Sequence, residues 1–391
     1  MGVLYHSDGV LTPIFTADYV GEGLNLKIVF YIESKSIEHW YARFDFKTKH
    51  IINAFLFFDN AESKTMKNLL VTGATGFIGG HLLPLLHQQG WKITAAVRND
   101  FPQPPSVPVR VTSIGEIDSR TDWTQALEGI DTVLHLAALA HILPNQMAKP
   151  EAEFFRINTD GTANLVKQSI KAGVKHFILI STIVAITSSS DQILTEDSCC
   201  QPDTPYGQSK LQAEQSLIDC ANNSQMTWTI LRPALVYGSG NPGNLELLMK
   251  LVNRGLPLPI GSVKNCRSLI FVGNLVDAIV TCLNHPNAVN QIFLVSDSEA
   301  LSTPQLVREI ARTIQRSCYL LSIPPSLLKV AGYLGDTLQY LTKRPFPLNS
   351  YMVDRLLCSL YVDNSYIQKT LDWQPPFTLE QGLAQTLRPE N

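Results

Sequence analysis

Residues 68–83 read NLLVTGATGFIGGHLL: a short apolar run, a turn with glycines at 73, 76 and 79, then a helical pattern. No other stretch of the chain constrains the fold as tightly. Glycine permits the sharp reversal after a strand, lets a ligand approach the backbone, and lets a helix pack closely on the strand. The free N–H groups and partial positive charge of the helix that follows then suit a pyrophosphate. The spacing is G-x-x-G-x-x-G and not the commoner G-x-G-x-x-G, but the flanking strand and helix supply the context such a motif needs. Gly73, Gly76, Phe77, Ile78 and Gly79 are therefore candidate dinucleotide-binding residues.

Strand-like runs recur at 92–97, 109–112, 132–136, 176–180 and 228–231, and helical periodicity appears at 77–89, 122–128, 152–172 and 206–222. Strands alternating with helices predict the α/β class, with a Rossmann-type doubly wound parallel sheet and right-handed crossovers. Continuous apolar strands such as FILI fit a sheet covered on both faces. Beyond about 238 the texture becomes loop-rich, with helices expected near 244–254, 274–284, 303–316 and 325–342. The expected organisation is a nucleotide-binding domain over 66–237 and a smaller, mostly helical substrate lobe over 238–391, with some strand exchange. Residues 1–65 show no clear period, and Met66 stands just before the first strand. That segment is expected to be a loosely attached extension, with Met66 as the natural start.

Composition narrows the classes. The chain has 391 residues, 45% of them apolar, which is enough for one large domain or two smaller ones. A net charge of -3 without basic runs argues against nucleic-acid binding. No apolar run approaches the ~20 residues of a membrane span, and the N-terminus lacks the order of a signal peptide. The seven cysteines have no metal-ligand spacing, so free thiols and a cytoplasmic location are expected, with no metal.

Tyr206 and Lys210 stand four apart in PYGQSK, on one face of a predicted helix. A free phenol titrates near ~10, too high for a base at neutral pH. A fixed ammonium and a positively charged nicotinamide would bring it into range. Ser181 and Thr182 end a strand and can hydrogen-bond a substrate oxygen beside Tyr206. Arg98 ends the second strand where an acidic residue would bind the ribose of NAD; an arginine suits the 2′-phosphate of NADP, while Asp100 keeps NAD open. Leu136, Ala137 and Ala138 end a further strand with a small surface on which a cofactor can lie. His135 reads as a packed histidine, and Asn158 as structural or functional alike.

With GATGFIG, HLAA, ST, YGQSK and LRPALVYG in this order, residues 66–388 resemble the extended short-chain dehydrogenase/reductase family. Its nucleotide-sugar epimerase/dehydratase branch is the nearest match. Within that branch the chain is similar to bacterial polysaccharide enzymes that reduce UDP-4-keto-6-deoxy-N-acetylhexosamines, and to UDP-glucose 4-epimerase-like proteins. The resemblance implies a catalytic triad of Thr182, Tyr206 and Lys210, with threonine where serine is commoner. Lys210 would also bind the nicotinamide ribose, and Pro233 would border the cofactor. It implies a nucleotide diphosphate held by Asn244, Arg267 and Arg355, and a homodimer through helices after the fourth and fifth strands. The implied activity is NAD(P)-dependent oxidoreduction at C4 of a UDP-sugar, with reduction favoured by Arg98. A 4-epimerase with tightly held NAD is the alternative, and an NADP-sensing binding protein a weaker one. Ile183 and Val184 stand where a 4,6-dehydratase would need an acid/base pair, and the stretch IVAITSSS lacks the family's usual turn.

Overall fold

A computed structural model describes residues 67–99, 101, 105–140, 151–241, 244–342 and 349–387, together with three strands nearer the N-terminus. Those strands are β1 (Thr12–Val20), β2 (Gly23–Tyr31) and β3 (Trp40–Phe44). They form an antiparallel sheet in the order β1-β2-β3, with Val20 paired to Gly23 and Leu24 to Phe44. The expectation of an unpatterned segment is corrected here. Leu24, Leu26, Ile28 and Phe30 alternate with other residues at the period of two that a strand requires. Residues 1–64 form one unit and 65–391 another.

The larger unit is built on seven strands. They are β4 (Asn68–Thr72), β5 (Lys92–Val97), β6 (Arg110–Ser113), β7 (Thr132–His135), β8 (His176–Ile180), β9 (Thr227–Pro233) and, later in the chain, β12 (Gln291–Val295). Their order is β12-β9-β8-β7-β4-β5-β6, and every neighbouring pair is parallel. The predicted doubly wound sheet is observed, with six of its strands where the sequence placed them. The seventh, β12, lies on the edge beyond the point where the texture turns loop-rich. The chain runs from β4 outward through β5 and β6, then returns to β7 on the other side of β4. This reversal opens a crevice at the carboxyl ends of β4 and β7, the place where open α/β sheets bind ligands.

Helix α1 (Phe77–Gln88) follows β4. Helix α2 (Glu151–Phe154) continues through a π-helical turn, Phe155–Gly161, into α3 (Thr162–Lys171). Helix α4 (Pro205–Asn222) follows β8. The helix predicted at 122–128 does not form. Trp123, Ala126 and Leu127 are buried at a helix-like spacing, but they make a single turn closed by Leu127 N–H to the Trp123 carbonyl. Gly129 then takes φ +68° and ends it.

Residues 238–391 add helices α5 (Asn244–Asn253), α6 (Val272–Asn284), α7 (Thr303–Thr313) and α8 (Pro325–Thr342), close to their predicted bounds. The helices α9 (Ser350–Leu357), α10 (Ser365–Leu371) and α11 (Leu379–Leu387) were not foreseen. Nor was a small sheet in which β10 (Leu235–Tyr237) pairs in parallel with β11 (Arg267–Phe271), and β11 antiparallel with β13 (Ala300–Leu301). The second crossover layer packs on the main sheet through Leu70, Val133, Phe177, Leu179, Leu165, Leu217 and Ile230. Phe177 has no exposed surface, so Phe177→Ala is expected to cost about 3–5 kcal/mol of folding stability. Chemical denaturation followed by fluorescence measures it.

Candidate functional site

Three carboxyl-end turns and one helix start converge on the crevice. After β4, Gly73 takes φ +69°, and a Cβ there would lie 2.8 Å from the Ala137 nitrogen of the turn after β7. A Cβ at Gly79 would come within 2.5 Å of the Gly73 carbonyl oxygen. The two glycines thus let the strands and α1 close up, and side chains would force them apart. Gly76 caps α1 without a side-chain hydrogen bond, and the first turn carries no acidic residue. Such a bare, positive helix end fits a pyrophosphate.

After β8, the Thr182 side chain caps a short 3-10 turn, accepting from Val184 N–H at 3.2 Å. Opposite it, Thr204 caps α4 by accepting from Gly207 N–H at 3.1 Å, with Pro205 in the first turn. A Cβ at Gly207 would stand 2.3 Å from the Val184 carbonyl oxygen. That close approach brings Tyr206 to Thr182, and the Thr182 hydroxyl hydrogen-bonds the phenol. Phe154 meets the Tyr206 ring edge-on at 6.3 Å. Asn158 joins the turn after β7 to α4: its Oδ1 accepts from Leu139 N–H at 2.7 Å, and its Nδ2 donates to Ser209 Oγ at 3.0 Å. It touches no cavity wall and acts as a tie.

Lys210 is buried one turn below Tyr206, and its ammonium donates to the Ile180 carbonyl at 2.8 Å. Burial lowers its pKa to about 8, against the opposing pull of Glu214 one turn further on. Burial likewise pushes the Tyr206 phenol up to about 12, and only the Thr182 hydrogen bond acts downward. Of the two charges expected to bring the phenol into range, the Lys210 ammonium does not offset burial. The ammonium is spent on a backbone carbonyl, and desolvation wins. Glu214 accepts from Arg232 of β9 at 2.6 Å and from the Ser181 hydroxyl, so a fully buried ion pair pins α4 to β8 and β9. His135 is buried between Thr72 Oγ1 at 2.7 Å and Thr162 Oγ1 at 3.0 Å, and desolvation lowers its pKa to about 3. It is the packed histidine the sequence suggested.

A cavity of about 500 Å³ runs from the glycine turn to α9. Of the predicted residues, Gly73, Gly76, Phe77, Ile78, Gly79, Leu136, Ala138, Thr182, Tyr206, Pro233, Arg267 and Arg355 line it. Ala137 lies against Gly73 and Lys210 beneath Tyr206, neither on the wall. Arg98 is exposed at the end of β5 and outside the lining. Asn244 opens α5, but its side chain, like Asp100, lies outside the described residues. Arg267 donates to the Arg355 carbonyl at 2.6 Å, and Arg355 donates to the Tyr351 hydroxyl at 2.8 Å while stacking over that ring at 5.5 Å. Both arginines thus line the cavity with their side chains anchored, and guanidinium groups suit a diphosphate. Sequence reasoning missed Gly207, Glu214, Arg232 and Tyr351. For Glu214 a signal existed: it continues the Tyr206–Lys210 face by a further four residues.

Comparison with known proteins gives the family and the fold. The model described as the NAD dependent epimerase/dehydratase family matches residues 69–296. A UDP-glucose 4-epimerase of Vibrio cholerae is 39% identical over 330 residues, covering 83% of this chain and 96% of its own. An N-acetyl-alpha-D-glucosaminyl-diphospho-ditrans,octacis-undecaprenol 4-epimerase of Escherichia coli O157:H7 is 29% identical over 325 residues, covering 83% and 95%. Among solved structures, UDP-glucose 4-epimerase of Thermotoga maritima with UDP-glucose has a TM-score of 0.64 at 23% identity, covering 82% of this chain and 97% of that one. At that identity the likeness speaks for the fold.

Two outcomes test the local construction. Gly207→Ala is expected to lower melting temperature and activity together, because its methyl meets a backbone carbonyl. Glu214→Ala is expected to cost about 3–5 kcal/mol in chemical denaturation, since it strands a buried arginine.

Proposed function

Because the chain belongs to the NAD dependent epimerase/dehydratase family, we propose that it interconverts the C4 epimers of a UDP-hexose, using Tyr206 as the proton-transfer group. The observation that carries this reading is that Thr182 and Tyr206 line the same cavity as Arg267 and Arg355. A sugar joined to a diphosphate matches that lining: charge at the arginines, an alcohol at the phenol. The family is NAD(P)-dependent, and the glycine turn with its uncapped helix end fits the cofactor's pyrophosphate. When bound, the nicotinamide supplies hydride exchange at the sugar carbon.

The chain's own residues handle the proton. Tyr206 takes it from, or returns it to, the C4 oxygen, and Thr182 orients both oxygens. Lys210 fixes the turn after β8 through Ile180 and adds positive charge beneath the ring. The phenol, held up to about 12 by burial, becomes a usable base only once further positive charge lies beside it. The C4 relation to the Vibrio cholerae protein favours epimerisation. Arg98, standing where an acidic residue would select NAD, supports a second reading in which reduced NADP drives a one-way 4-ketoreduction.

Purified protein given UDP-glucose or UDP-N-acetylglucosamine, with no cofactor added, is expected to yield the C4 epimer by NMR. A strict need for added NADPH, consumed mole for mole with a UDP-4-keto-6-deoxy sugar, would move the assignment to the reductase. Tyr206→Phe is expected to abolish turnover while cofactor binding persists; unchanged turnover would end the assignment of the phenol. In cofactor-free protein, the ultraviolet titration difference between wild type and Tyr206→Phe is expected to show no phenolate below pH about 10. With the oxidised cofactor bound, that signal is expected at lower pH.

A further inference from the structure

Arg267 and Arg355 both line the cavity, but they are held there in different ways. Arg267 belongs to β11, and its Nη1 donates to the Arg355 carbonyl at 2.6 Å and to Cys358 Sγ at 3.5 Å. It is thereby fixed against the last turn of α9. Arg355 stands on that helix itself and is only partly buried. Among the described residues its guanidinium is held by one side chain. Its Nη1 donates to the Tyr351 hydroxyl at 2.8 Å, and its central carbon stands 5.5 Å from the centre of the Tyr351 ring. Tyr351 lies one turn earlier on α9, at the i, i+4 spacing that lets side chains meet. It lines the cavity, is half exposed, and its hydroxyl has no other partner among the described residues.

A half-exposed tyrosine that touches one arginine adds little to folding, because surface contacts of this kind are nearly neutral. Its effect falls on the arginine. That side chain is long and flexible, and a ligand that has to order it binds more weakly for doing so. The Tyr351 ring limits the plane of the guanidinium, and the hydroxyl fixes one corner of it. Nε and Nη2 keep no partner among the described residues, so the edge of the fork that grips two oxygens at once is left for a ligand. We propose that Tyr351 is a positioning residue for the substrate's diphosphate, holding Arg355 ready at the cavity wall. It sets affinity and leaves the chemical step alone. This role rests on the UDP-hexose reading given above.

Calorimetric titration of the full chain with UDP reads the affinity directly. Tyr351→Ala is expected to weaken UDP binding about tenfold, and Tyr351→Phe, which keeps the ring and loses the hydroxyl, about threefold. KM for the UDP-hexose is expected to rise by the same factors at unchanged kcat, the mark of an interaction made equally in ground and transition states. In an Arg355→Ala background, Tyr351→Ala is expected to weaken UDP no further, because its effect passes through the guanidinium. A Tyr351→Ala protein that binds UDP like wild type overturns the proposal. So does a further tenfold loss in the Arg355→Ala background, which puts the ring on the nucleotide itself. A fall in kcat at unchanged KM overturns it as well. Should Tyr351→Ala fail to fold, Tyr351→Phe decides alone, and wild-type affinity in that variant sinks the idea. Wild type that does not bind UDP removes the UDP-hexose reading and this role together, whereas equal binding by wild type and variant removes this role only.

Discussion

Beneath the phenol of Tyr206, one face of α4 carries a lysine and a glutamate at successive turns, and the glutamate is neutralised by Arg232 from β9. Buried charge of this density must be paired or hydrogen-bonded: Glu214 and Arg232 form an ion pair, and Lys210 donates to a backbone carbonyl. Lys210 spends its ammonium on the Ile180 carbonyl, and Glu214 takes both Arg232 and the Ser181 hydroxyl. The network spans β8, β9 and α4, so it fixes the ends of the elements that carry Thr182 and Tyr206. The placement of the Thr182 and Tyr206 hydroxyls is thus a consequence of electrostatics one layer below them.

The same frame explains which parts of the molecule could be read in advance. Parallel strands buried on both faces leave continuous apolar runs, and six were visible as such. The glycine turn was legible because Gly73 and Gly79 answer a need for backbone proximity that no other residue meets. Trp123, Ala126 and Leu127 misled because burial in a loop can copy helical spacing. β2 was overlooked although its alternation is regular, since no neighbouring helix announced an α/β unit. β12 was missed although QIFLV is itself an apolar run, because it follows α6 beyond the point where the texture turns loop-rich.

The site was legible in its residues more than in its energetics. Thr182, Tyr206, Arg267 and Arg355 do meet around one cavity. What the spacing of Tyr206 and Lys210 could not convey was desolvation, which depends on everything packed around the pair. Shared helix face suggested mutual stabilisation of charge; enclosure raised one group and lowered the other. Gly207 escaped notice for a similar reason. Its importance comes from the Val184 carbonyl across a gap, and nothing in PYGQSK points there.

A phenol held near 12 has a consequence for how this protein is to be quantified. With Tyr206 as the proton-transfer group proposed above, the acid–base capacity is supplied jointly with whatever positive charge occupies the crevice. Preparations that differ in the fraction of molecules so filled will differ in rate by the same fraction, with identical folds. Specific activity then measures occupancy, and two samples of equal purity are comparable only after their bound nucleotide has been counted.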